Sequence, residues 1–236
     1  MFAKAFIVAA TFLVEQASPA TIPAAPLTVA AGPSAAELVT KVQSFYQSTG
    51  KFTAKFRQNY TNKAGFNTEP KDGRIYVKKP GKMRWDYKGK SSPVRASYLT
   101  DGTNAWMVEY DNKQFGRQAL TENTAPVAIT FLSGKGDLAR EFNAFIEPNS
   151  KYSKTDHVLK LIPKKVSAQY KELYLVVDPV NFRVKQSIVI EGNGNVNHFM
   201  FFEPDFSKEL PDGWFWVNES ELKKQGFRVL SKKAQP

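Results

Sequence analysis

The sequence predicts an α+β protein: a curved antiparallel sheet of about nine to eleven strands forming an open, incomplete β-barrel, lidded by a few helices. Three observations predict it. A single capped amphipathic helix opens at Ser34. A period of two then runs through most of the chain, broken by turn signals. A short helical insertion interrupts the strands near residue 130.

Before the helix, residues 1–4 carry the basic Lys4, residues 5–14 (AFIVAATFLV) carry no charge, and small residues follow up to Ala20. This is the layout of a secretory signal, so residues 1–20 are expected to be a cleaved signal peptide. The run is short of the roughly 20 apolar residues that span a bilayer. Residues 21–33 (TIPAAPLTVAAGP) are Ala- and Pro-rich and read as a linker, leaving 34–236 as one domain.

Ser34 with Glu37 forms a capping box. Leu38, Val42 and Phe45, with Val39 and Tyr46 beside them, recur at helical spacing, and Thr49-Gly50 ends the helix. The period then changes. Phe52, Ala54 and Phe56 alternate with Thr53, Lys55 and Arg57; Ile75 and Val77 alternate with Arg74, Tyr76 and Lys78; Met83, Trp85 and Tyr87 alternate with Arg84, Asp86 and Lys88. Such strands have one dry face and one wet face. Asp72-Gly73, Lys79-Pro80-Gly81, Asp101-Gly102 and Asp111-Asn112 are the turns between them, and residues 105–110 form a further strand. Residues 124–142 read as two short helices around a Gly134–Gly136 break. Strands resume at 157–162, 171–178, 182–191 and 195–203, with turns at Asp178-Pro179 and Gly192-Asn193-Gly194. Residues 204–236 are less regular and hold a terminal strand at 227–230.

Composition removes whole classes of chemistry. Among 236 residues there is no cysteine, which excludes disulfides, thiolate metal sites and a Cys nucleophile. There are two histidines, His157 and His198, each in strand-like sequence. No nucleophile elbow, zincin helix, Walker A loop or dinucleotide fingerprint is present. The expectation is a protein with no catalytic residues, no metal and no cofactor. The net charge is +11, from 33 Lys and Arg against 22 Asp and Glu. These cations are dispersed along polar strand faces. That fits a solvated surface or attraction to an anionic bilayer, and the export signal argues against nucleic acid.

The aromatic load is heavy, with 18 Phe, nine Tyr and four Trp. A curved sheet under a helical lid leaves two readings open, an apolar cavity for hydrocarbon or a filled core. One face of the alternating strands supplies the candidate lipid-binding residues Phe52, Phe56, Ile75, Val77, Met83, Trp85, Trp106, Val108, Leu175 and Val177. The helix faces add Leu38, Val42, Phe45, Ile129, Phe131 and Leu132.

Specific strings go further. Residues 74–87 (RIYVKKPGKMRWDY) give an apolar strand, a basic-Pro turn and an aromatic strand. Thr100-Asp-Gly-Thr-Asn-Ala-Trp106, Tyr110 with Gln114, and residues 126–142 with FLSGKGDL follow in order. Residues 159–164 (LKLIPK), Val177-Asp-Pro179 and residues 194–199 (GNVNHF) complete the series. Over roughly residues 35–203 the order and spacing of these strings resemble the periplasmic outer-membrane lipoprotein carrier family, LolA. The resemblance implies a periplasmic, monomeric chaperone whose apolar interior takes the acyl chains of lipoproteins. It would receive them from an inner-membrane lipoprotein-releasing ABC transporter and pass them to an outer-membrane acceptor. It also supports Met83 and implies a lid-closing role for Lys79. The family's best-known members carry Arg before the turn proline, and here Lys79 keeps the charge but loses the planar fork. Residues 204–236 match the family weakly. Two rival readings use the same scaffold: a module that senses lipids or lipoproteins, and a protein that binds anionic envelope polymers.

Overall fold

The structure, a computed structural model, describes residues 32–89, 93–120, 131–133, 136–167 and 170–230. The expected signal peptide, nearly all of the linker, and Ile129 lie outside these residues. The chain divides into two units, Met1–Gly32 and Pro33–Pro236, and only the second is described below.

Helix α1 (Ala35–Ser48) starts as its sequence dictates. The Ser34 side chain accepts from the Glu37 amide, and the Glu37 side chain accepts from the Ser34 amide, so two orphan donors are satisfied together. Leu38, Val39, Val42 and Tyr46 are its buried stripe. The helix ends in an extended Thr49, whose hydroxyl donates to the Phe45 carbonyl over 2.8 Å.

Twelve strands then form one sheet. They are β1 (Lys51–Thr61), β2 (Lys71–Lys78), β3 (Lys82–Tyr87), β4 (Ala96–Thr100), β5 (Asn104–Glu109), β6 (Gln114–Ala119), β7 (Phe142–Ile146), β8 (His157–Pro163), β9 (Tyr170–Val177), β10 (Val184–Glu191), β11 (Val196–Asp205) and β12 (Arg228–Val229). Their order across the sheet is β12-β6-β5-β4-β3-β2-β1-β11-β10-β9-β8-β7. β7 and β12 do not meet, so the barrel is open, as the sequence predicts. Every pairing is antiparallel except β12 with β6, which is parallel. Three short strands escape sequence reading. β4 is too brief for alternation to declare itself, β6 is interrupted by Gly116, and β7 starts at the last residue of the expected helical insertion. There, Asp137 caps only a single turn, α2 (Leu138–Glu141). Phe142, Ala144 and Ile146 then take up the two-residue period and pair with β8.

Register assigns the faces, because directly opposed residues point the same way. Phe52 opposes Val77 and Phe56 opposes Gly73; Ile75 opposes Trp85 and Val77 opposes Met83. This concave face carries the main core, together with Leu159, Leu161, Leu173, Leu175 and Phe201. Helix α1, α2 and a 3₁₀ turn at Phe131–Ser133 lie over it. Gly73 is required by this packing. A Cβ there would lie 2.2 Å from the Asp86 carbonyl oxygen and 2.4 Å from the Phe56 ring.

The convex side is covered in two places. Under the loop before β8, Val158, Val176 and Ile188 form a small cluster with Tyr152 and Tyr174. His198 borders it, its ring 6.0 Å from that of Tyr152 and its Nε2 2.7 Å from Gln186 Oε1. The Gln186 amide nitrogen donates to the Tyr152 carbonyl over 3.4 Å, which turns its Oε1 toward His198. Burial lowers the His198 pKa below its ordinary 6.5. Between those two values the unfolded chain holds more protons than the folded one, so stability falls as pH falls through that window. His198→Gln is expected to narrow the difference in melting temperature between about pH 7 and about pH 5. An unchanged difference in thermal melts would assign the acid sensitivity elsewhere.

Candidate functional site: a lidded apolar trough

The lid is held differently along its length. Its face is apolar: Leu38, Val39, Val42 and Tyr46 are buried, and Phe45 packs against them half-buried. Its polar ties to the other described residues are few. Lys79, in the β2–β3 turn, donates its Nζ to the carbonyls of Tyr46 and Gln47, the latter over 2.6 Å. These are orphan acceptors in the last turn, at the negative end of a helix that has no basic residue of its own there. Partial burial lowers the Lys79 pKa. The Tyr46 hydroxyl accepts from the Val184 amide over 3.2 Å, and burial pushes this phenol well above the ordinary range, so it stays neutral. Gln43 Oε1 accepts from the Leu138 amide over 3.2 Å.

Beneath the lid the side chains close on one another. Phe56 meets Trp85 at 4.9 Å between ring centres, Tyr87 at 5.1 Å and Phe199 at 6.0 Å. The Trp85 indole N–H points at the Met83 sulfur over 3.0 Å, a weak acceptor in an apolar setting. The Ser187 hydroxyl is buried on the same face, opposite Leu175 and Phe199, and has no hydrogen-bond partner among the described residues. Among the described residues one cleft, of about 10 Å³, has room for about one water molecule.

Most of the sequence-derived candidates come together here. Leu38, Val42, Phe52, Phe56, Ile75, Val77, Met83, Trp85, Phe131, Leu132, Leu175 and Val177 belong to one cluster, and Phe45 packs against it. Trp106 and Val108 do not, and their assignment to the trough is corrected. Thr100 and Tyr98 share a face with Met83 and Trp85, and they oppose Ala105 and Met107. Trp106 and Val108 therefore point to the convex side, opposite Leu99 and Ser97. The alternation was right and the phase was wrong, because β5 is apolar on both faces. Sequence reading missed Leu159, Leu161, Leu173 and Phe201 as trough residues. The alternation of Leu159 and Leu161 about Lys160 was the available signal for the first two.

On the convex face, Leu99, Trp106, Val108 and Phe115 form a second cluster with Val217, Leu222 and Phe227. The C-terminal segment crosses this face through a 3₁₀ turn at Asp212–Phe215, helix α3 (Glu219–Lys224) and β12. It is fastened by Lys78 to the Leu210 carbonyl over 2.8 Å, by Lys78 and Lys82 to Asp212, and by Arg84 to the Trp214 carbonyl over 3.1 Å. The Trp106 indole N–H donates to Glu219 over 3.2 Å. Trp106→Ala is expected to cost about 3–5 kcal/mol and to expose the segment after β11 to proteolysis, while acyl-chain binding persists. A folded variant that had lost acyl binding would return Trp106 to the trough.

Among the described residues no cluster of His, Cys, Asp or Glu is arranged to hold a metal ion. No helix among them is long and apolar enough to cross a membrane.

An open half-barrel with a helical lid over an apolar concave face is the class of protein that these features define. The chain belongs to the outer membrane lipoprotein carrier protein LolA family, whose sequence model matches residues 47–218. Among individual proteins it is similar to the outer-membrane lipoprotein carrier protein of Hahella chejuensis, 25% identical over 77% of this chain and 88% of that one. It is also similar to that of Methylobacillus flagellatus, 28% identical over 45% of this chain and 51% of that one. In the first such matches the chain spans only about half the length of the curated relatives, 51% to 57%. An uncharacterized conserved protein from Thermus thermophilus shares the fold, with a TM-score of 0.50 at 10% identity over 83% of this chain and 98% of that one.

Proposed function

We propose that this protein is a non-enzymatic periplasmic chaperone that carries acylated lipoproteins between membranes. It would take them from an inner-membrane releasing ABC transporter, shield their acyl chains in the trough, and deliver them to an outer-membrane acceptor. On this reading residues 1–20 direct export and are removed, and the carrier works as a monomer. The observation that carries the proposal is the lid itself, apolar along its face and tied by a few polar contacts, over a trough lined by hydrocarbon and aromatic rings.

Magnitudes favour such a device. Three acyl chains hold on the order of 45 methylenes, and bringing them into water costs roughly 35 kcal/mol at about 0.8 kcal/mol each. A carrier has to replace the bilayer with an apolar surface and still let go. Each buried side chain of the α1 stripe contributes about 1.5–3 kcal/mol to the closed form. Cargo that displaces α1 forfeits this gain, and its net affinity is tempered by the same amount. Lys79 acts as the latch in this scheme, holding the helix end while the trough is empty.

The test is release. The protein is incubated with inner-membrane vesicles that hold newly acylated lipoprotein, the transporter and ATP. The expected result is a soluble one-to-one complex that forms only when protein and ATP are both present. Cargo that stays on the membrane, with the protein folded and the transporter active toward its own carrier, would overturn the proposal.

A further inference from the structure

The small cleft at the edge of the trough has a charged rim. Phe45 and Phe52 line it from α1 and β1, Phe201 from β11, and Phe206 from just beyond β11, with Arg183 beside them. Arg183 is half-buried, and among the described residues no carboxylate lies within ion-pair distance of it. Its nearest acidic neighbour in sequence, Asp178, accepts from the amides of Val180 and Asn181; these bonds, with smaller help from the charges of Lys185 and Arg183, hold its carboxyl below the usual range. A second cation reaches the same turn: Lys41 Nζ lies 4.4 Å from the centre of the ring of Phe182, the residue before Arg183. Glu37, one turn earlier on α1, is taken up by the cap at Ser34.

The turn that presents Arg183 is firmly built. The Arg183 carbonyl accepts from the Asp178 amide over 2.9 Å, and its own amide donates to Asn181 Oδ1 over 3.0 Å. Phe182 holds φ +61, a left-handed conformation that a bulky residue adopts only when its surroundings impose it. Glu203 also sits at positive φ, +46, immediately before the segment that carries Phe206. Phe206 is 41% exposed and rests edge-on against Phe45 at 5.9 Å, with Phe52 at the same distance. Arg183, on a firmly built turn, and the part-exposed Phe206 thus line the same cleft.

We infer that this cleft is a binding site for a single-chain anionic amphiphile, an acyl chain that ends in a carboxylate or phosphate. The chain displaces Phe206 and runs between Phe45 and Phe52, and the anion rests on Arg183 with Lys41 alongside. A guanidinium suits either oxyanion, because its planar fork matches two oxygens at once. Such a ligand is chemically distinct from a lipoprotein anchor, whose acyl chains end in uncharged esters and an amide. The inference rests on the reading that the trough accepts acyl chains.

The experiment titrates the purified protein with palmitate, with lysophosphatidylglycerol and with uncharged monopalmitoylglycerol, each below its critical micelle concentration. The two anions are expected to bind about tenfold tighter than the neutral amphiphile, with the gap closing in Arg183→Gln and in high salt. Palmitate and lysophosphatidylglycerol, compared with each other, show which oxyanion is preferred. Phe206→Ala is expected to tighten all three, since the flap no longer has to be moved. Equal affinity for charged and neutral amphiphiles overturns the inference, as does an anion preference that survives Arg183→Gln. If no amphiphile binds but lipoprotein release proceeds, the inference falls and the carrier reading stands. If release fails as well, both fall.

Discussion

Lys79→Met is expected to free the lid. The substitution keeps the length of the side chain and removes the donors that meet the Tyr46 and Gln47 carbonyls. Hydrogen bonds from a charged donor contribute about 1.5–3 kcal/mol, so the open population of α1 should rise by about one to two orders of magnitude. Amide hydrogen exchange reads this directly, with faster exchange over Leu38–Ser48 and little change in β1 and β2. Cargo should respond in the same direction. A lid that costs less to displace leaves acylated cargo bound more tightly and transferred more slowly, by a similar factor. Lys79→Arg should restore slow exchange, since its fork reaches the same two carbonyls. If α1 exchanges at the wild-type rate in Lys79→Met, the apolar stripe alone holds the lid and Lys79 is no latch.

Phe56→Ala is expected to lose about 3–5 kcal/mol of stability, the range for truncating a buried aromatic ring. Phe56 is 2% exposed and is enclosed by Trp85, Tyr87 and Phe199 above a glycine that has no Cβ to fill the space. Neighbours fixed in a sheet cannot collapse far into such a void. At about 2–4 °C per kcal/mol for a domain of this size, the melting temperature should fall by about 10 °C. Acyl binding should survive in whatever fraction stays folded, because the void enlarges the trough. Phe56→Leu should recover most of the loss. A drop below about 1 kcal/mol would mean that the trough floor rearranges freely, and that Phe56 does not set its shape.

The elements that sequence reading placed correctly are those whose signal is local. The α1 boundaries follow from Ser34, Glu37 and Thr49-Gly50, each a short-range device. The β1, β2 and β3 face assignments follow from three clean alternations in a row, and β1 pairs with β2 over eight residues that agree on one phase. The failures share a cause. β5 reads Ala-Trp-Met-Val, apolar on both sides, and its phase is set by Leu99 and Tyr98 across the ladder. β7 depends on β8 for its existence, since Phe142–Ile146 has too few residues to declare a period. The C-terminal cover over Trp106 depends on ties such as Arg84 to Trp214 and Trp106 to Glu219, which join residues 130 and 113 positions apart. No window along the chain contains both partners. The cleft beside Arg183 is of the same kind, assembled from α1, β1, β11 and the turn before β10.

The link between α1 and β1 gives the lid a mechanical character. Only Thr49 and Gly50 separate the helix from the strand, and the Lys79 amide pins the Gly50 carbonyl over 2.8 Å. Gly50 is thus a pivot, and α1 is a rigid arm of 14 residues, about 21 Å long. The latch carbonyls lie within about one turn, or 5 Å, of that pivot, so a 30° rotation carries Ser34 through about 11 Å and the latch through about 2–3 Å. That small travel suffices to break both Lys79 bonds. A pull at Ser34 therefore acts on the latch with a leverage of about four, whereas a push near Thr49 has none. A partner that grips the far end of the arm can unlock the trough with little force, and one that binds beside the turn cannot.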